Sequence, residues 1–316
     1  MEIKWNNQMK RQLICLIFLL LCAGCGESTS MPVPEPLPDP ETPQKPDNSD
    51  PAADGTLRAD GTTDTYTLIT RCGYNYETPD ASGSHAANPV RHITQLYDET
   101  LKQPVFEFHI HAAIDDDRGI ATVTDRQRNE IKTDAKSPAS MVGQSGETML
   151  FRWKFRLPEG MKTTNKFCHI HQIKGIDNSA GTADVGNPVI TFTAVTQSNG
   201  KQQFQVRYIG PTPDATGNVY LGRTDLTPFL GEWVEAEERI LFGTSGSYTL
   251  TIKRLSDGMT LLEIPAQSLN MWRSGTTGMR PKWGIYRSIG TNGELIGELR
   301  DEMLRFADFS IGKLAQ

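Results

Sequence analysis

Residues 280–288 read RPKWGIYRS. In an extended strand, side chains alternate between two faces. Pro281, Trp283, Ile285 and Arg287 then share one face, which is apolar for most of its length and reads as core. Arg280, Lys282, Gly284, Tyr286 and Ser288 share the other. A face with two cations and a tyrosine is costly to bury unpaired and cheap where it lines a groove that meets a charged ligand. This strand therefore predicts a sheet with one face on a core and the other on a binding groove.

Two further segments repeat the pattern. In DRQRNEIKT (125–133), Arg126, Arg128, Glu130 and Lys132 share a face. In CHIHQIKG (168–175), Gln172 and Lys174 alternate with His169, His171 and Ile173. Strict alternation puts both histidines opposite Gln172 and Lys174, so one set faces the groove and the other the core. Histidine is the usual proton shuttle near neutral pH, and both sets remain candidates for contact with substrate. Arg207 in QVRYIG is a further candidate substrate cation.

The surrounding chain is strand-like from Thr63 onward. Runs such as VFEFHIHA, GIATVT, TMLFRWKFRL, PVITFTAVT, QQFQVRYIG, GEWVEAEERILF, SYTLTIKRL and LRFADFSIG are bounded by Gly, Asn, Asp or Pro. TYTLIT (65–70) reads as another strand, and NPVRHITQLYDETLK (88–102) as one short helix. TQSNGKQ carries an asparagine–glycine hairpin signal, and GTSGS and LSDGM are similar turns. Many antiparallel strands in one domain predict an all-β fold, a jelly-roll β-sandwich of two large antiparallel sheets with a concave groove.

The amino terminus reads as a processing signal. MEIKWNNQMKRQ holds three cations and one acid, and LICLIFLLLCAG is an apolar run of signal-peptide length. LCAGC resembles a bacterial lipoprotein box with Cys25 as the lipidated residue, although Cys22 stands where leucine is usual. Eight of the 19 prolines lie between Pro32 and Pro51, a composition that favours extended, solvated backbone. The expected organisation is a signal peptide at 1–24, a proline-rich tether at 25–62 and a folded domain at 63–316. The protein is expected to be exported and held by a lipid anchor at the outer membrane or cell surface. A net charge of −6 argues against nucleic acid as a partner.

Cys72 and Cys168 are the two cysteines of the folded domain, and the sequence leaves open whether they pair. No C-x-x-C pair occurs, so no thiolate zinc site is expected. Asp115, Asp116 and Asp117 form an acidic loop, read either as a plain turn or as oxygen ligands for a structural calcium.

The three polar strands resemble the jelly-roll polysaccharide lyases, whose motifs read approximately R-S-E-L-R, Q-I-H and Y-F-K-A-G-V-Y-N-Q in the same order. Arg128–Lys132 is similar to the first. Gln172, Ile173 and Lys174 are similar to the second, with lysine in place of histidine, and Lys282–Tyr286 to the core of the third. The resemblance runs from about Val105 to Lys313 and looks most like the ulvan-lyase branch. It implies β-elimination on an acidic, uronate-containing polysaccharide, of ulvan or glucuronan type, with no required cofactor or catalytic metal. Tyr286, Lys174, Arg128 and Gln172 become the expected catalytic residues. Lys282, Lys132, Glu130, His171, His169, Arg207 and Ser288 become the expected substrate contacts, Glu130 by orienting a cation. The chemistry calls for these types: removing the proton beside a uronate carboxylate requires that carboxylate to be neutralised, and a tyrosine can move the proton. The alternatives are a non-catalytic carbohydrate-binding sandwich, and a glycoside hydrolase of the same fold, which needs a close pair of carboxylates.

Overall fold

The computed structural model describes residues 55–81, 90–210 and 219–315. All described residues belong to one compact unit. The signal, Cys25 and most of the tether lie outside the described residues.

Among the described residues, fifteen strands form two antiparallel sheets. The eight-stranded sheet contains β1 (Thr56–Leu57), β3 (Ile93–Asp98), β4 (Gln103–Ile110), β6 (Thr148–Arg156), β11 (Trp233–Leu241), β12 (Gly246–Arg254), β13 (Thr260–Leu269) and β15 (Glu302–Leu314). Its order is β13-β12-β11-β6-β15-β4-β3, with β1 added along β15. The seven-stranded sheet contains β2 (Asn75–Glu77), β5 (Arg126–Lys132), β7 (Cys168–Ile176), β8 (Ile190–Thr196), β9 (Gln202–Tyr208), β10 (Val219–Asp225) and β14 (Gly278–Ser288). Its order is β10-β9-β8-β7-β14-β5-β2. This is the all-β jelly-roll sandwich that the alternating pattern predicts.

The core lies between the sheets. β6 contributes Phe151, Trp153 and Phe155, β4 Phe106 and Phe108, and β14 Trp283 and Ile285, all buried. The solvent face of β11 presents Glu235, Glu237 and Arg239 between buried neighbours, and Glu237 pairs with Arg152 of β6. Such alternation leaves charge outside and apolar area inside, as a one-sided sheet requires.

Several local expectations change. TYTLIT begins a helix, α1 (Thr65–Arg71), because Asp64 caps it: its side chain accepts from the Thr67 amide, satisfying an otherwise orphaned donor. The 88–102 segment supplies β3 and a turn rather than a helix; Ile93–Asp98 bonds along β4 in register. GIATVT is a loop of turns, not a strand. The fold also begins before residue 63, since β1 is already paired with β15 at Thr56 and Leu57. The question of a disulfide is answered as well: Cys72 and Cys168 are both buried and are not joined to each other.

Candidate functional site

β14 lies between β5 and β7, and register brings the three polar motifs side by side. Across to β5, Lys282 pairs with Lys132, Gly284 with Glu130, Tyr286 with Arg128 and Ser288 with Arg126. Across to β7, Arg280 pairs with Lys174 and Lys282 with Gln172. Gly284 is required in this row. Its φ of +146° is glycine territory, and a Cβ there would stand 2.1 Å from the Asn129 carbonyl oxygen.

Beneath the groove lies an ionic layer. Lys282 Nζ sits 2.6 Å from Glu130 and also pairs with Glu77. Arg128 pairs with Asp117 at 2.7 Å, Glu130 at 3.0 Å and Glu77 at 3.2 Å. Lys132 reaches Glu77 at 2.7 Å, and Gln172 Nε2 donates to Glu130 Oε1. Burial raises the cost of the charged carboxylates, but Lys282, Arg128 and, for Glu77, Lys132 outweigh it and hold both glutamates well below their ordinary range. Burial draws Lys282 down to about 8 against the pull of Glu130 and Glu77. Lys282 is 1% exposed. It therefore supports the floor of the groove rather than reaching substrate, and Glu130 and Lys132 are likewise internal partners. In this layer Lys282, Arg128 and Lys132 are matched by Glu77, Glu130 and Asp117.

Above that layer the site opens. Arg126 Nη1 donates to the Tyr286 hydroxyl at 2.7 Å, and Asp125 grips the same guanidinium at its Nε, 2.7 Å away, and at Nη2. The Arg128 guanidinium lies 3.8 Å from the centroid of the Tyr286 ring. Burial raises the Tyr286 pKa, with Arg128 and Arg126 pulling it back, so the phenol is protonated at neutral pH. Phe167 stacks on His169, centroids 4.8 Å apart, and packs against Tyr286 at 5.0 Å. Arg126, His169, Gln172, Lys174, Arg207 and Tyr286 line one pocket of about 260 Å³.

His169 is in this pocket because β7 is bulged. Trp283 pairs with His171 and Tyr286 with His169, so along β14 three steps match two of β7 and the extra residue of that ladder is on β14. Against β8 the extra residue is on β7 itself, where two steps from His169 to His171 match one from Thr193 to Phe192. A bulge adds one residue to its strand and re-aims the neighbouring side chains. His171 consequently points into the core, fully buried, where Nε2 lies 2.8 Å from Glu238 and Nδ1 donates to the Lys282 carbonyl at 2.8 Å. The expectation that His171 contacts substrate is thus corrected. The expectation that both histidines share a face is corrected too. Gln172 and Lys174 do face the groove.

His169 Nδ1 is 2.8 Å from Thr193 Oγ1, which leaves Nε2 for the pocket. Burial first, and then Arg207, push its pKa down to about 3, so the ring is neutral. Lys174 falls to about 8 through burial and the cations Lys282, Arg128 and Arg280. Its Nζ donates to the Gly186 carbonyl at 3.0 Å. Arg207 is braced by Gln205 Oε1 at 2.6 Å. Ser288 is not a groove residue: its hydroxyl donates to the Asp125 carbonyl and accepts from Gly290 N–H, tying down the turn that holds Asp125.

Glu77, Asp117 and Asp125 carry no signal of this role in the sequence, and Arg126 is visible there only as a face-mate of Arg128. Glu77 ends a three-residue strand and Asp117 sits in a loop, so neither has a periodicity to betray it. The three aspartates of the acidic loop do not converge as calcium ligands. Asp115 turns to His92 and His111, Asp116 caps the Gly119 amide and Asp117 holds Arg128.

No protein-family model matches the chain, and no curated protein matches it by sequence. Solved structures do. A marine PL-14 alginate lyase from Aplysia kurodai superposes with a TM-score of 0.52 at 11% identity, covering 82% of this chain and 98% of that one. A family 7 alginate lyase in complex with substrate, with one histidine and one tyrosine substituted, gives 0.51 at 12% identity over 82% of this chain and 99% of that one. At these identities the likeness shows the fold: the chain has the jelly-roll sandwich found in alginate lyases.

Proposed function

We propose that the protein is a polysaccharide lyase that cleaves a uronate-containing polymer by β-elimination. The observation that carries this reading is the convergence, in one pocket, of a protonated phenol, a neutral imidazole and the cations Lys174 and Arg207, which have no carboxylate partner among the described residues. His169 Nε2 takes the C5 proton, electrons move to form the C4=C5 double bond, and the C4–O bond breaks. Tyr286 gives its proton to the departing oxygen, with Arg126 at the phenolic oxygen to stabilise the charge that develops there. Lys174 and Arg207 meet the uronate carboxylate. Gln172 and Arg128 position the floor and the tyrosine ring. The favoured substrates are polymers of ulvan or glucuronan type.

The hydrolase reading fares worse. The close carboxylates Glu77 and Glu130 lie in the layer beneath the groove, and both are held ionised by cations. A glycosidase needs one carboxyl kept protonated as acid. Glu235 and Glu237 lie on the solvent face of β11, in the other sheet.

Export and lipid anchoring through Cys25 remain part of the proposal, supported by the LCAGC box and the proline-rich tether. The deciding experiment is purified protein on a panel of polyuronates. A lyase yields an ultraviolet-absorbing unsaturated uronate, a hydrolase only reducing ends and a binding module neither. Absence of the unsaturated product on every polyuronate overturns the lyase reading.

A further inference from the structure

Away from the groove, His92, His111 and Asp115 converge where β3 begins and β4 ends. One ligand atom from each lies within 4.8 Å of the others. His92 is fully buried, and its Nδ1 is 2.7 Å from the Val90 carbonyl oxygen. A carbonyl only accepts, so the Nδ1 proton is fixed there. Nε2 then faces Asp115 Oδ1 at 2.9 Å. Asp115 Oδ2 lies 3.2 Å from His111 Nδ1 and accepts from the His111 amide at 2.6 Å.

A nitrogen lone pair and a carboxylate oxygen repel at that distance unless a proton bridges them or a metal ion, off the line that joins them, binds both. Behind His92 stands Asp80, 3.3 Å from Nδ1, itself bonded by the Tyr66 hydroxyl at 2.7 Å. A carboxylate and a carbonyl behind a histidine are the outer partners that orient metal-ligating imidazoles.

We propose that His92 Nε2, His111 and the Asp115 carboxylate bind a divalent transition-metal ion of the zinc class. Two nitrogens and one carboxylate suit zinc, nickel or cobalt, whereas calcium and magnesium prefer an all-oxygen shell. Uptake displaces the bridging proton to solvent. The His111 side chain is 25% exposed, which leaves a solvent-side coordination position.

The ion would fasten a loop that matters elsewhere. Gln127 of β5 bonds the carbonyls of His111, Ala112 and Asp115. Two residues beyond Asp115, Asp117 holds Arg128 in the ionic layer. The metal therefore acts as a staple at the base of the loop, not as a group in the groove.

The test uses the purified full-length chain, stripped with chelator and dialysed against zinc chloride. One zinc per chain is expected in the parent and in His109→Ala, a histidine outside the cluster. At least tenfold weaker retention is expected in His111→Ala and Asp115→Asn. Zinc should raise the parent melting temperature by ~3 °C, and cobalt(II) in its place should give visible d–d absorption that His111→Ala lacks. Because the parent's stoichiometry and cobalt spectrum do not depend on any variant folding, they decide the matter alone. Substoichiometric zinc with a colourless cobalt form, or equal retention by a folded His111→Ala, assigns the bridge to a proton and overturns the proposal. Neither result bears on the lyase reading.

Discussion

His169 stands directly across the β7–β14 ladder from Tyr286, ring centroids 5.9 Å apart, although simple alternation would send it into the core with His171. Register shifts on both sides of β7 create the pair. Tyr286→Phe removes only a hydroxyl and should leave the melting temperature unchanged while kcat falls ~10²-fold or more. His169→Gln should fall at least as far. Initial rates of unsaturated-product formation decide this, and a fully active His169→Gln would exclude histidine as the base.

His171 should behave in the opposite way. Its ring is packed among Trp153, Phe192 and Trp283 and sits against Glu238, which also accepts from Tyr248 at 2.6 Å. His171→Ala opens a cavity and strands Glu238, so it should cost ~3–5 kcal/mol of stability. Activity per folded molecule should stay close to the parent's. Urea unfolding beside single-temperature kinetics separates the two, and a stable but inactive variant contradicts the core placement.

Glu130→Gln tests the ionic layer. The change keeps shape but leaves Lys282 and Arg128 short of one carboxylate in a buried site. Breaking such a group from one side costs ~3–5 kcal/mol. The variant should melt well below the parent at neutral pH. An unchanged melting temperature means that the layer is solvated and contributes little.

Acid should destabilise the protein through His169 and through the two buried glutamates, in overlapping windows. His169 has a folded pKa of about 3 against an ordinary 6.5, so between those values the unfolded chain takes a proton that the folded chain refuses. Stability therefore falls as pH falls through that window. Glu77 and Glu130 are depressed from 4.5, so their contribution is present above that value and is lost as pH falls below it. Melting temperatures at pH 7, 5 and 3.5 should decline throughout. His169→Gln should lessen the decline in both intervals, because its window runs from 6.5 down to about 3, and an identical slope in that variant removes His169 as the cause.

Lys174, with a pKa of about 8, should set the alkaline limb of activity. Above that pH it loses the charge that meets the uronate. Lys174→Arg keeps the charge at every accessible pH and should extend activity to higher pH. Coincident pH–rate profiles for parent and variant would place the limb on another group.

The sequence is readable where periodicity is unbroken. β5 and β14 alternate cleanly, so Arg128, Lys282 and Tyr286 can be aligned from spacing alone. It misleads where a local device overrides periodicity: an Asp64 cap turns TYTLIT into a helix, and the bulge separates His169 from His171. Spacing also overstates the reach of Lys282. Alternation tells which face a side chain leaves from, but not that Glu77 from another strand closes over it.

The matched charges under the groove have a consequence for ionic strength. Buried pairs feel little screening, whereas exposed charges are damped beyond a Debye length of ~8 Å at physiological salt. Lys174 and Arg207 have no matching carboxylate among the described residues, and they flank the open pocket. Rising salt should thus weaken capture of a polyanion, seen in KM, without touching the floor on which catalysis rests. A chain built this way tolerates a briny medium structurally while its grip on the polymer loosens by degrees.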